Sequence, residues 1–266
     1  MKYFVITIAA VFAFGCGGAS NSSSVSTPSS TAKPADRGNE IVAEHLKREA
    51  APYRKDRVRF TVRSEGDPVE IFEIDVWRRQ TEKQTDTMSI MVKPAEDAGT
   101  GSLAIETPDK PTVNITYAAS RDEFRETDTG KMFFGGLTVQ ELLGEWNKYT
   151  FKFIGERDVD GQKALEIEGK LKDGQKSAIA TTKVLFDAQN YLLLEMRLFD
   201  SGGKEMRTYR QKEIKSDVSR PYLSKTEIEN HIYNSKITVE ILSREYPAAI
   251  DDSMFSREKL KQSVRK

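Results

Sequence analysis

The sequence predicts a mainly β protein of the α+β class, with about eleven antiparallel strands and a few short helices. Three observations carry this prediction. Apolar and polar residues alternate over most of residues 58–245, turn residues bound each alternating run, and a helical apolar period is confined to residues 39–49, 138–146 and 251–263. Antiparallel strands with this alternation pair as a meander in which one sheet face contacts water.

The first group of strands is marked by apolar residues at every second position. These positions are Val58, Phe60 and Val62; Phe72, Ile74 and Val76; Met88, Ile90 and Val92; Leu103 and Ile105; and Val113, Ile115 and Tyr117. A second group is predicted at 149–153, 165–167, 177–186, 191–199, 204–214, 222–230 and 236–245. Within it, Asp160-Gly161 and Asp173-Gly174 are dipeptides typical of hairpin turns.

The predicted helices are short and lie between or outside these strands. Asn39 is positioned to cap the first helix. Thr138 and Glu141 have the spacing of a capping box for the second, which continues with the apolar residues Leu142, Leu143 and Trp146. Helices this short do not cover one whole face of about eleven strands. Either a second sheet packs on that face, or part of it remains open as a cavity.

The amino terminus has the pattern of a bacterial export signal. Lys2 precedes an apolar run that is too short to span a bilayer, and small residues lead to Cys16, the only cysteine in the chain. We therefore predict a signal peptide over 1–15, lipidation of Cys16, a disordered Ser/Thr/Pro tether over 16–37, and one folded domain over 38–266. The alternative is an ordinary signal peptide with an incidental cysteine.

Composition argues against several classes of function. Lys plus Arg and Asp plus Glu both number 41, so no basic excess indicates nucleic acid as a partner. One cysteine cannot form an intramolecular disulfide or a Cys-based metal cluster. The chain has two histidines and lacks a Gly-x-Ser-x-Gly elbow, a P-loop, a dinucleotide fingerprint and a His pair at metal spacing. We expect no enzyme activity, no catalytic residues, no metal and no cofactor.

Five stretches together resemble a known family. They are VWRR (76–79), VKPAEDAGTGSLAIE (92–106), FFGGLTVQELLGEWNKYTFKFIGERDVDGQKALEIEG (133–169), KVLFDAQNYLLLEMRLFDSGGK (183–204) and DDSMFSREKL (251–260). The specific part is their order: a helix that interrupts the strands, a hairpin ending in Val-Asp-Gly, and an Asp-x-x-Asn-Tyr-Leu-Leu-Leu strand. This series is similar to that of the outer-membrane lipoprotein-sorting proteins of the LolA/LolB-like superfamily.

The resemblance implies a curved antiparallel half-barrel with the helices as a lid, and a cavity between them that holds acyl chains. An acyl site needs aliphatic and aromatic walls. The candidates for lining it are Phe60, Val62, Phe72, Ile74, Met88, Ile90, Leu103 and Ile105 on the sheet, with Phe133, Phe134, Leu142, Leu143 and Trp146 on the lid. For each of these residues the alternative interpretation is ordinary core packing.

The first functional hypothesis is a membrane-anchored periplasmic protein that binds lipids or the acyl chains of lipoproteins and sorts or transfers them between envelope membranes. Its anchor would be the lipid on Cys16, and Gly17 in place of Asp favours the outer membrane. The second hypothesis is a structural or regulatory envelope module that uses the same fold to bind a protein partner. A third, a hydrolase, would have to use His45 or His231.

Overall fold

The structure, a computed structural model, describes residues 34–95, 98–107, 110, 112–118, 121–127, 132–133, 136–138, 146–159, 161–215 and 220–264. Its strands are β1 Tyr53–Ser64, β2 Glu70–Gln80, β3 Thr85–Lys93, β4 Gly101–Glu106, β5 Val113–Ala118, β6 Glu123–Thr127, β7 Met132–Phe133, β8 Leu137–Thr138, β9 Tyr149–Val159, β10 Gln162–Leu171, β11 Thr181–Asp187, β12 Leu193–Phe199, β13 Glu205–Lys215, β14 Tyr222–Asn230 and β15 Ser235–Glu245. The predicted signal peptide, Cys16 and the tether up to residue 33 lie outside the described residues.

Thirteen strands form one open antiparallel sheet in the described part of the chain, which confirms the predicted mainly β class. The order is β6-β5-β4-β3-β2-β1-β15-β14-β13-β12-β11-β10-β9, and β7 pairs only with β8. Within β1 to β6 and within β9 to β15, neighbours in sequence are therefore neighbours in the sheet; β15 lies beside β1, and β6 and β9 form the two edges. The sheet contains β6, which the alternation had not indicated.

Helices frame the strands at both ends of the described chain. They are α1 Pro34–Glu49, the 3-10 helices η1 Trp146–Lys148 and η2 Asp252–Phe255, and α2 Arg257–Val264. The first begins inside the predicted tether, at a proline, which suits a first turn because its missing N–H has no helical partner there. None of the helices in the described residues is long and apolar enough to span a membrane.

Two helix predictions differ from the structure. Asn39 lies within α1 and is not its cap; its side-chain oxygen instead accepts a hydrogen bond from the backbone N–H of Phe151, at 3.1 Å. The predicted carboxyl-terminal helix is divided into η2 and α2, because Ser256 has an extended backbone (φ −118°, ψ 155°). The helix predicted at 138–146 falls largely outside the described residues. Of its two ends, which are described, Thr138 is the last residue of β8 and Trp146 is the first residue of η1.

The chain divides into two compact units. Among the described elements, the first unit contains β1 to β8, β15 from Ile237 onward, η2 and α2. The second contains α1, η1 and β9 to β14. Each unit thus has its own block of strands and its own α-helix.

The second unit has a core on one face of its strands. Ile167 of β10 is opposite Phe153 of β9 and Val184 of β11, and the same row continues through Met196 to Tyr209. We call this side the Ile167 face. Helix α1 packs on this side: it contacts β9, and the ring of its His45 lies 4.8 Å from that of Phe186 in β11.

Gly38 allows α1 to approach the edge strand β9 closely. A Cβ atom at this position would lie 2.6 Å from the backbone carbon and oxygen of Phe151, a distance that real Cβ contacts do not show. The helix and strand backbones are therefore in direct contact at a point where only glycine fits.

We expect Gly38→Ala to destabilise the protein by about 1–3 kcal/mol, because α1 must move away from a backbone that cannot yield. Urea unfolding measures the change. Gly155→Ala in β9 is the matched control, since a Cβ atom there meets nothing within 4 Å. Equal losses for the two variants would contradict the close contact.

The Asp-x-x-Asn-Tyr segment between β11 and β12 is a hydrogen-bonded turn. The Asp187 carboxylate accepts from the backbone N–H groups of Gln189 and Asn190, at 2.9 and 2.8 Å. Asn190 accepts in turn from Leu192 N–H at 2.9 Å, and Tyr191 between them has a left-handed backbone (φ +55°). The side chains of this motif therefore fix a turn whose Tyr191 carbonyl is directed at α1.

Candidate functional site

Strand pairing in the first unit sorts its side chains onto two faces. Directly opposed residues share a face, so the pairing of Met88 with Leu103, and of Leu103 with Ile115, defines one side, which we call the Met88 face. Phe60 is directly opposite Phe72, and both alternate along their strands with residues that belong to the Met88 face. They therefore lie on the other side of the sheet, which we call the Phe60 face.

The Met88 face is covered by α2. Leu260 of that helix is fully buried and packs with Met88, Leu103, Ile115 and Tyr117. Ile90 and Ile105 are half-buried at the border of this cluster. Four of the predicted lining residues (Met88, Ile90, Leu103 and Ile105) thus pack against a helix.

The other four predicted sheet residues lie on the Phe60 face. Phe60, Val62 and Ile74 are at most 2% exposed, and Phe72 is half-buried. The predicted set of eight therefore does not form a single wall. The structure adds three buried neighbours that were not among the candidates, and together they make an apolar band, defined as Val58, Phe60, Val62, Ile74, Val76 and Met91.

The predicted lid residues have mixed outcomes. Trp146 is buried in the second unit, with its ring centroid 5.5 Å from that of Phe151 and 6.0 Å from that of Phe186. It is therefore part of the core beneath α1. Phe134, Leu142 and Leu143 lie outside the described residues, as does the side chain of Phe133.

A buried ion triad lies at one end of the apolar band. Arg244 donates two hydrogen bonds to the Asp56 carboxylate, at 2.8 and 3.1 Å, and Arg54 Nε is 3.0 Å from the same carboxylate. All three side chains are at most 3% exposed. The Asp56 carboxylate thus contacts two guanidinium groups away from water, where the loss of a partner is costly.

The prediction that one face contacts water is wrong for β3, β4 and β5. Their Met88 face is covered by α2, and their Phe60 face, although polar, is buried as well. Thr87, Ser89 and Ser102 are examples: their alternation with apolar residues suggested solvent exposure, yet each is at most 1% exposed. Small hydroxyl residues look the same in sequence whether they contact water or protein.

The two histidines are in structurally different places. His45 is buried in the second unit, where its Nδ1–H donates to the Tyr191 carbonyl at 2.9 Å and its ring lies 4.8 Å from that of Phe186. His231 is exposed at the turn after β14, with Nε2 3.0 Å from Thr208 Oγ1. In the described residues, no group of three His, Cys, Asp or Glu side chains could hold a metal ion.

Burial lowers the pKa of His45, an effect that Arg48 reinforces and that Glu49 and the Tyr191 carbonyl oppose. The neutral ring is therefore the native form. The unfolded chain takes up this proton below a pH of about 6.5, and the native chain does so only at lower pH. We expect the free energy of unfolding to fall as pH decreases from 7 to 5, by at most about 1.4 kcal/mol per pH unit from this group.

Urea unfolding at several pH values measures this slope. His45→Gln should remove the contribution of His45 to the change of the free energy of unfolding with pH, because a glutamine does not titrate. Thr182→Val is the control, because it alters a buried side chain of the same unit without changing a titratable group, and it should leave the slope as it is in the parent protein. If His45→Gln retains the full slope, another group causes it.

Glu205 is a carboxylate whose pKa is lowered by its neighbours in the sheet. The Arg197 guanidinium donates to it at 3.0 and 3.1 Å and, with Thr208, lowers the pKa of Glu205 to about 2. Perturbed carboxylates often mark functional sites. This one lies in a row of cross-strand ion pairs with Glu195–Arg210 at 3.3 Å as its neighbour, so its perturbation has a structural cause.

Comparison with known proteins gives relatives of the same architecture. A family model with the description "-like: Uncharacterized protein" matches residues 83–262, more than half of the chain. A solved DUF1329 family protein from Desulfovibrio piger is similar at 14% identity and a TM-score of 0.79, over 86% of this chain and 100% of the other.

Two further solved structures have the same fold. A putative outer membrane lipoprotein-sorting protein domain from Vibrio parahaemolyticus is similar at 16% identity and a TM-score of 0.77, over 85% of this chain and 99% of the other. A LolA superfamily protein from Nitrosomonas europaea is similar at 9% identity and a TM-score of 0.67, over 84% and 98%. No protein of curated function matches the chain.

Proposed function

Because the chain belongs to the family whose model matches residues 83–262 and shares the LolA-like fold, we propose that it is a membrane-anchored envelope protein that binds the acyl chains of lipids or lipoproteins and passes them between envelope membranes. No covalent step is required. Transfer follows relative affinity, because the chains move on only if the protein binds them more weakly than the final acceptor does.

The observation that carries the proposal is the apolar band on the Phe60 face. Helix α2 packs on the opposite, Met88 face, and α1 packs on the strands of the second unit. The band therefore presents six apolar side chains, Phe60 at its centre, on the side of the sheet away from α2. Aliphatic and aromatic walls of this kind suit an acyl chain.

Membrane attachment is the second part of the proposal. Diacylglycerol on Cys16 would hold the chain at the membrane, and the Ser/Thr/Pro segment between Cys16 and α1 would act as the spacer. The similarity in fold to a putative outer membrane lipoprotein-sorting domain supports a place in the cell envelope, and Gly17 after the cysteine favours the periplasmic side of the outer membrane.

A chain of residues 34–266, exported to the periplasm of a bacterial host, tests lipid binding. It begins where α1 begins. We expect native mass spectrometry to detect co-purified acyl lipid, and a fluorescent fatty acid to bind the protein after the lipid is removed. A protein that carries no lipid and does not bind the fatty acid would contradict the proposal.

Val62→Trp distinguishes a ligand wall from a filled core. If the band accommodates an acyl chain, the indole takes its place, so the fatty acid no longer binds while the free energy of unfolding changes by less than about 1 kcal/mol. Val113→Trp is the matched control, since Val113 is 37% exposed and on the Met88 face. It should leave fatty-acid binding unchanged.

The nearly complete burial of the band favours a second candidate. If the Phe60 face is a filled core, the chain is an envelope module that binds a protein partner through its surface. Val62→Trp would then overpack the core and cost about 1–3 kcal/mol, and the parent protein would not bind fatty acid.

A further inference from the structure

Beside the apolar band, the Phe60 face carries buried hydroxyl groups in neighbouring positions. Ser102 of β4 is directly opposite Ser89 of β3 on one side and Thr116 of β5 on the other. Thr87 lies two residues from Ser89 along β3 and so shares its face. We call these four residues the hydroxyl cluster.

The hydroxyl cluster has unused hydrogen-bonding capacity. All four side chains are at most 2% exposed, and none of their hydroxyl groups has a hydrogen-bond partner. A buried hydroxyl without a partner costs the desolvation free energy of the group, and proteins rarely retain several together without a use. Their arrangement on one face of adjacent strands points to a common polar ligand.

Cationic and amide groups adjoin the cluster. Arg78, 1% exposed, is directly opposite Thr87, and Asn114 of β5 lies two residues from Thr116 on the same face. The guanidinium groups of Arg54, Arg78 and Arg244 lie at this end of the face together with the carboxylates of Asp56 and Glu106. Guanidinium, amide and hydroxyl groups donate hydrogen bonds to oxygen atoms, and ionised oxygens are the strongest acceptors, so these groups favour a ligand that is rich in oxygen and negatively charged.

The hydroxyl cluster is continuous with the apolar band. Ser89 is directly opposite Val76, and the next row of the same face pairs Ile74 with Met91. One end of the face is thus apolar and the other offers hydroxyl, amide and guanidinium groups. A ligand that satisfies both ends must be amphipathic, with acyl chains joined directly to a compact polar group.

We infer that the hydroxyl cluster and Arg78 bind the anionic, oxygen-rich head group of an acyl lipid whose chains lie on the apolar band. This inference rests on the proposed function and deepens it, because it makes the protein selective for the head group as well as for the chains. The head group is either the carboxylate of a fatty acid or the phosphate ester of a phospholipid.

Three pyrene-labelled probes test the inference on the full-length chain held in amphipol: a fatty acid, a phosphatidylglycerol and an alkane without a head group. The variant is Ser89→Ala combined with Ser102→Ala. Because these hydroxyls have no partner in the protein, the melting temperature should be unchanged or higher. We expect alkane binding to be unchanged and binding of a head-bearing probe to weaken about tenfold.

Thr182→Val is the matched control, because Thr182 has another buried hydroxyl without a hydrogen-bond partner, in the second unit. It should leave all three affinities unchanged. A loss confined to the fatty acid identifies the carboxylate as the ligand, and a loss confined to phosphatidylglycerol identifies the phosphate ester; either supports the inference.

The failures of the two proposals are distinguishable. If the parent protein binds the alkane, and the double variant binds all three probes as the parent does, the hydroxyls hold only ordered water and the head-group inference is wrong. If the parent protein binds none of the probes, the proposed function itself is wrong.

Discussion

Asp56→Asn should cost about 3–5 kcal/mol in the free energy of unfolding, the largest loss we expect from a single polar substitution. The asparagine keeps the shape of the side chain but removes the charge that Arg54 and Arg244 both contact. Two buried guanidinium groups would then each lose an ion-pair partner. Urea unfolding of residues 34–266 measures the loss through the midpoint, with the slope unchanged.

Asp75→Asn is the control for this prediction. Asp75 accepts two hydrogen bonds from Arg57, both at 2.7 Å, but the Arg57 side chain is 45% exposed. Solvent screens such a pair, so we expect a loss below about 1 kcal/mol. If Asp56→Asn costs no more than Asp75→Asn, the buried triad does not stabilise the first unit.

Phe186→Ala should cost about 3–5 kcal/mol, because it removes the centre of the core beneath α1. The Phe186 ring is fully buried and lies 4.8 Å from the His45 ring and 6.0 Å from that of Trp146. Its loss leaves a cavity that the strands cannot close. We expect lower thermal stability and faster hydrogen exchange in α1, which both follow from weaker packing of that helix.

Phe199→Ala is the corresponding control in the same unit. Phe199 is half-buried. The Nζ atom of Lys183 and the Cζ atom of Arg197 lie 5.6 and 5.5 Å from the centroid of its ring. Such an exposed cation–π arrangement contributes about 1 kcal/mol or less. A loss for Phe186→Ala as small as this would mean that α1 is held by other contacts.

The class of the fold and most of its elements could be predicted because period two is a local signal. The alternation around Phe60, Ile74 and Met88 predicts β1, β2 and β3, and glycine marks the turns at residues 161 and 174, whose φ angles are +81° and +78°. The strand β6 was missed because Glu123–Thr127 contains one apolar residue, Phe124, and so shows no alternation.

Which face of the sheet each residue occupies could not be predicted. Strand register decides it, and register depends on partners that are distant in sequence. Met88 and Phe60 are equally apolar and equally buried, yet one packs under α2 and the other belongs to the apolar band. The sequence analysis therefore assigned residues from two opposite faces of the sheet to the wall of a single cavity.

The polar part of the candidate site was also hidden from sequence analysis. Ser89, Ser102 and Thr116 are each unremarkable in a strand, and only pairing brings them together. Asp56 has the same difficulty, because its partner Arg244 is 188 residues away. Polar residues in a predicted strand are assigned to solvent by default, and here that assignment fails.

In-cell photocrosslinking of the full-length chain tests the central claim, that the Phe60 face binds acyl chains, most directly. p-Benzoylphenylalanine is placed either at position 60 or at position 88, two fully buried positions on opposite faces. After illumination of a bacterial host, mass spectrometry identifies the adducts, and thermal melts verify that both proteins fold. We predict acyl-lipid adducts at position 60 and none at position 88. The absence of a lipid adduct at position 60, or the same lipid adduct at both positions, would contradict the account.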